Sequence, residues 1–187
     1  LMLLGAVIAA GATLGGALAG VRASAIVAAG VAAALGVFLL TFVRGLFTSQ
    51  LLDLFGAGET TVSLLDAQQR LAWASSAISG VVAGLIAFGY LRRATRHAVA
   101  PPRGLAYLIA GGGVGALQLL TEVIIRIGGA QIIELASSLS ESDALFQDLA
   151  AAARINSALV VFFVGALTAM IAFGRTLRPA PDDPAED

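Results

Sequence analysis

Neither cysteine nor lysine occurs in the 187 residues, and there is a single histidine, His97. Without cysteine there are no disulfides, thiolate metal sites, iron–sulfur ligation or thiol nucleophiles. Without lysine there is no amine for a retinal or pyridoxal Schiff base or for a phosphate loop, and arginine does not replace it in those roles. One histidine excludes a haem held by two histidines of one chain and the usual multi-histidine zinc sites. No cofactor is therefore expected. Charge is also scarce, at 12% of residues against ~25% in an ordinary soluble domain. The 11 arginines and 12 acids leave a net charge of -1. With no global basic field, nucleic acid is excluded as a partner.

Hydrophobic residues are abundant instead, at 58% of the chain. A chain this short cannot hide so much apolar surface in one globular core. The few ionisable residues divide the sequence into charge-free runs at 1–21, 23–43, 71–91, 104–121 and 155–174, which are 21, 21, 21, 18 and 20 residues long. A helix needs ~20 apolar residues, at 1.5 Å each, to cross ~30 Å of hydrocarbon. None of the five shows the polar stripe of a soluble amphipathic helix. The expected fold is all-α: a polytopic transmembrane helical bundle of five spans, forming one domain over 1–178. The first run has no basic segment ahead of it and exceeds the usual length of a signal-peptide core, so it is read as a span. A tight turn at Arg22 separates it from the second.

Arginine placement sets the expected orientation. Arg22, Arg92, Arg93, Arg96, Arg103, Arg175 and Arg178 all fall on one side of the five-span arrangement. By the positive-inside rule that side is cytoplasmic, so loop 92–103 and the C-terminus face the cytoplasm of a multi-pass plasma-membrane protein. The segments 44–70 and 122–154 lie opposite and are acidic. Trp73 at the outer start of the third span, with Tyr90 and Tyr107 at inner ends, fits the aromatic belts of the two interfaces. Residues 179–187, with three prolines and four acids, read as a disordered acidic tail.

An internal repeat is the most informative pattern. Gln50-Leu51-Leu52-Asp53-Leu54 returns conservatively as Gln131-Ile132-Ile133-Glu134-Leu135, and Ile86-Ala87-Phe88-Gly89 returns unchanged at Ile171-Ala172-Phe173-Gly174, at offsets of 81 and 85. Arg44 and Arg126, Glu59 and Glu141, Asp66 and Asp148, Arg70 and Arg154, and Arg93 and Arg178 pair at offsets of 82 to 85. Two parallel two-span repeats are expected, 23–93 and 104–178, after one extra span at 1–21. Each would carry a short outer interfacial helix, near 48–55 and 129–136. Ser63-Leu64-Leu65-Asp66 and Ser140-Glu141-Ser142-Asp143 have the Ser-x-x-Asp form of a helix start, which would carry spans three and five beyond the outer surface.

Glycine pairs four residues apart, among them Gly80 and Gly84, let helix backbones approach across small-residue faces. Such faces would pack within the bundle, against other membrane subunits or against a second copy. Gly111, Gly112, Gly113 and Gly115 interrupt span four more sharply. Each glycine weakens a helix by ~1 kcal/mol relative to alanine, so an alternative to close packing is local unwinding that offers carbonyls to a ligand. Glu122 is the one acid lying against a span, with Arg126 a turn away as its expected i,i+4 partner. Glu122, Arg126 and the glycines 111–113 are the candidate ion or ligand site. Arg44, Arg92, Arg93, Arg96 and Arg103 are candidate contacts for lipid headgroups, the bilayer being the one certain partner. No catalytic or metal-binding constellation is present. The chain is read as a non-enzymatic accessory or scaffolding subunit of a larger membrane assembly. The alternative is a small transporter or channel with its pathway between the repeats, using Glu122, the glycine run, Thr41 and Thr121.

Overall fold

A computed structural model describes residues 25–58, 60–96, 104–137 and 141–176, with backbone alone over 130–137, 141–144 and 146. Five helices follow one another: α1 (Ala25–Leu46), α2 (Thr48–Leu54), α3 (Thr61–Ala94), α4 (Gly104–Ser137) and α5 (Glu141–Gly174). All regular structure in the described residues is helical. Four segments are long and apolar enough to cross a membrane: Ala25–Leu46, Thr61–Ala94, Gly104–Gly129 and Gln147–Gly174. The expected first span at 1–21, the Arg22 turn, His97, Arg103 and the tail 179–187 lie outside the described residues.

Side-chain size is sorted in the reverse of a soluble bundle. The buried positions are dominated by alanine, with Ala29 and Ala33 of α1, Ala83 and Ala87 of α3, Ala110 of α4 and Ala169 of α5 almost wholly covered. Large apolar residues such as Leu35, Phe38, Phe42, Ile78, Phe163 and Leu167 point outward. In water that arrangement would expose apolar surface at about 25 cal/mol per Å². In lipid it costs nothing, because helix association there depends on close packing rather than on hiding apolar groups. The sorting marks a membrane-embedded protein.

The closest packing is at a three-helix glycine junction. Gly165 of α5 sits between Gly80 and Gly84 of α3 and Gly111 of α4. A Cβ added at Gly111 would lie 2.5 Å from the Gly165 carbonyl oxygen, and one added at Gly84 would meet the same oxygen at 2.5 Å. Gly115 lies so close to the Phe162 backbone that no side chain fits there. The glycine run of span four is thus a packing face. Residues 111–115 remain inside the continuous α4 helix, and the unwinding alternative is not what this structure adopts. Of the packing options open to the small-residue faces, Gly80 and Gly84 take the one within the bundle.

Around the junction α1 packs on α3 and α4, α5 packs on α3 and α4, and α3 meets α4 across the middle. Gly80 and Gly165 touch at an offset of 85, the spacing of the repeated Ile-Ala-Phe-Gly. Phe88 and Phe173 of that same repeat flank Tyr107, with ring centroids at 5.7 Å and 4.6 Å. Tyr107 is therefore a buried core residue, 5% exposed, and not part of an interfacial belt. Trp73 and Tyr90 are exposed.

The connections at the Arg44 end of the bundle differ between α1–α3 and α4–α5. After α1 the chain breaks at Phe47, where the Thr48 hydroxyl donates to the carbonyls of Arg44 and Gly45 at 3.2 and 3.1 Å. Such bonds compete with the helical ladder. The seven-residue α2 follows as the expected short outer helix, and Gly56 at φ 89° turns the chain away. The counterpart at 129–136 is no separate helix: α4 runs unbroken to Ser137. The α3 start is also one turn earlier than Ser63. Thr60 is the N-cap, its hydroxyl accepting from the Ser63 backbone N–H at 3.2 Å. α5 begins directly after Ser140, which lies outside the described residues. α3, α4 and α5 each reach 34 residues, about 51 Å at 1.5 Å per residue and well beyond the hydrocarbon thickness.

Gly165→Leu should lower the stability of the detergent-solubilised protein by about 1–3 kcal/mol, the cost of overpacking a tight core. Gly89→Ala, where nothing lies within 4 Å of the added carbon, should be neutral or slightly stabilising. Unfolding curves followed by circular dichroism compare the two.

Candidate functional site

Glu122 falls on the face of α4 that meets α5, and it is 5% exposed. Its partner comes from that neighbouring helix. Arg154 Nε donates to Glu122 Oε2 at 2.8 Å, and Arg154 Nη2 donates to Oε1 at 3.1 Å. Two parallel N–H···O bonds from one guanidinium are the strongest geometry available to a carboxylate. The arginine side chain is 52% exposed against 6% for the glutamate. Arg154 thus reaches in from the rim and closes over a carboxylate that the helix seam has already covered.

The i,i+4 partner expected at Arg126 is corrected by this geometry. Arg126 is exposed, and the one salt bridge among the described residues joins Glu122 to Arg154. A pair along one helix contributes only about 0.2–0.5 kcal/mol. A bidentate clamp at a covered seam outcompetes it, since an unpaired carboxylate there carries a desolvation cost. Hairpin arithmetic would have found the partner. α4 and α5 are joined through 138–140, so reflecting Glu122 about residue 139 lands at 156, within one turn of Arg154. Treating 122–154 as an outer segment hid that register.

One layer deeper, the Ser76 and Ser157 hydroxyls hydrogen-bond at 2.7 Å across α3 and α5, while Ser76 also donates to the Ala72 carbonyl at 2.8 Å. Thr121 satisfies itself on the Leu117 carbonyl at 2.9 Å. Among the described residues no buried side-chain nitrogen or oxygen is left without a partner, and no three His, Asp or Glu side chains gather into a metal-holding group.

The candidate headgroup arginines separate into two places. Arg92, Arg93 and Arg96 are exposed at the C-terminal end of α3, with Arg92 lying 5.8 Å from the Phe88 ring centroid. Arg175 follows α5 at the same end of the bundle. Arg44 stands at the opposite end, half-buried beside a groove between α1, α2 and α3. Thr41 lines that groove, and Glu122 and Gly111–Gly113 do not. Glu122 and Gly111–Gly113 are separated along α4 by two to three turns, and the structure does not bring them into one site. A second groove, of about 880 Å³, opens sideways between α1 and α4 and is almost wholly apolar.

No protein-family model matches this chain, and neither the curated proteins nor the solved structures contain a match to it.

Glu122→Gln and Arg154→Gln should each lower the unfolding temperature, whereas Arg126→Gln should stay within about 0.5 kcal/mol of the parent, as surface changes do. The exchange Glu122→Arg with Arg154→Glu should recover part of the loss. A double-mutant cycle on the purified protein measures the coupling.

Proposed function

We propose that this chain is a non-enzymatic multi-pass protein of the plasma membrane that works as an accessory or scaffolding subunit of a larger membrane assembly. The observation that carries the reading is the closure of Glu122 by Arg154. A transport site needs an acid free to bind and release its ion, and Glu122, the acid that directly borders the apolar run of α4, is held in a bidentate clamp. The glycine junction supports the same reading. A pathway between the repeats would run where Gly80, Gly111 and Gly165 bring three backbones into contact. The lateral groove between α1 and α4 adds an apolar recess of about 880 Å³ at which a partner helix would pack.

Descent from a duplicated two-span unit belongs to this reading, supported by Gly80 meeting Gly165 and by the paired phenylalanines on Tyr107. The end that bears Arg92, Arg93, Arg96 and Arg175 is taken as cytoplasmic. In a chain without cysteine, single cysteines report topology directly. Ser49→Cys should label from outside intact cells and Thr176→Cys only after permeabilisation; the reverse pattern overturns the orientation.

Function is tested by flux and by mass. In liposomes the purified parent should show no proton or cation flux above empty vesicles, and Glu122→Gln should not differ from it. After gentle detergent extraction the protein should migrate in a species much larger than its 18.8 kDa. Robust parental flux abolished by Glu122→Gln would replace the accessory reading with transport.

A further inference from the structure

The groove beside Arg44 has a construction that packing alone does not require. It encloses about 350 Å³, within the ~300–1,000 Å³ of ordinary small-ligand sites. One wall is the end of α1 and the other is α3, through Leu71, Ala74 and Ile78. Its roof is α2. Phe47, Leu51 and Phe55 are spaced at i, i+4 and i+8, and all three line the groove. The Thr48 hydroxyl bonds to the Arg44 and Gly45 carbonyls lie at the break between α1 and this roof.

Depth identifies what enters. Arg44 closes the charge-free run 23–43, whose 21 residues would span about 31 Å as helix, the thickness of the hydrocarbon layer. Arg44 therefore stands at the level of lipid phosphates while the groove below it lies among acyl chains. Arg44 is half-buried, makes no salt bridge among the described residues, and has no carboxylate beside it in the groove wall. A cation partly withdrawn from water needs a counter-anion. At that depth the anion on offer is a phospholipid phosphate, which a guanidinium grips through two hydrogen bonds. The absence of a lining acid also selects among lipids, because nothing in the wall would hold the ammonium of a zwitterionic headgroup.

We propose that the groove roofed by α2 binds one anionic phospholipid, with its phosphate on Arg44 and an acyl chain against Leu71 and Ile78. The site uses neither Glu122 nor the lateral groove, so it stands whether the protein is an accessory subunit or a transporter.

Native mass spectrometry of the purified protein, titrated with phosphatidylglycerol or phosphatidylcholine of matched chains, reads the first binding event. The parent should prefer phosphatidylglycerol by about fivefold, the effect of one arginine near a charged lipid surface. Arg44→Gln should remove the preference, Arg44→Lys should keep most of it, and Arg126→Gln should leave it unchanged. Ser79→Leu, which fills the groove wall without touching the charge, should weaken the first event for both lipids. Equal binding of the two lipids by the parent overturns the proposal. So does a preference that survives Arg44→Gln, or one lost equally in Arg126→Gln.

Discussion

Backbone contact at Gly165 is the constraint on which the rest of the bundle depends. Lipid tails are as apolar as leucine, so a transmembrane helix gains little by exchanging one for the other, and attraction must come from closeness. Gly165 supplies it by letting α3 and α4 reach the same carbonyl oxygen. Once three backbones approach so closely, the neighbouring core positions hold little more than a methyl group. That is why Ala83, Ala87, Ala110 and Ala169 surround the junction and why larger side chains are turned to the lipid. Large side chains enter the core toward the end that bears Arg92 and Arg175, where Phe88 and Phe173 flank Tyr107.

The ion pair answers the same problem at the other end. Glycine contact is short-ranged and does not fix how far α4 and α5 slide along one another, whereas a two-bond clamp between Glu122 and Arg154 does. Stripping water from a carboxylate is costly, and charge pairs at buried positions rarely add much net stability. Their value is in excluding wrong registers: a slip by one turn leaves the carboxylate covered and unpaired. The hydroxyl pair of Ser76 and Ser157 gives α3 and α5 a weaker version of the same device.

Much of this architecture was legible from charge spacing, because insertion into hydrocarbon is decided by the same scarcity of charge. The charge-free runs 71–91, 104–121 and 155–174 all fall within helices of the structure, as does run 23–43 over its described part from Ala25. The ends were not legible. Hydropathy reports where a segment leaves lipid and not where hydrogen bonding stops, so α4 continues through Glu122 to Ser137 while its apolar run ends at Thr121. Two further misreadings share one origin. Tyr107 was placed by depth and Arg126 by spacing along its own helix, yet both positions are set by what α5 presents across the seam. A single helix read by itself does not contain that information. The α2 break was foreseen from its repeat pattern, but the pattern alone did not show that Thr48, absent from the corresponding stretch of α4, is the residue whose hydroxyl accompanies the break.

The length of the helices has an electrostatic consequence. α3 begins at Thr61 and α5 at Glu141, ten and fourteen residues before their charge-free runs open at Leu71 and Ile155. Those stems amount to about 15 and 21 Å of helix, whereas ionic atmosphere at physiological salt damps a field over ~8 Å. On the α3 stem Asp66 stands five residues before Leu71 and still acts on the headgroup layer, whereas a charge carried at the tip of the longer α5 stem is shielded from that layer. The tip charge is met first by whatever diffuses in the water above, so at α5 the bilayer and the aqueous phase see two electrically separate faces of one small protein.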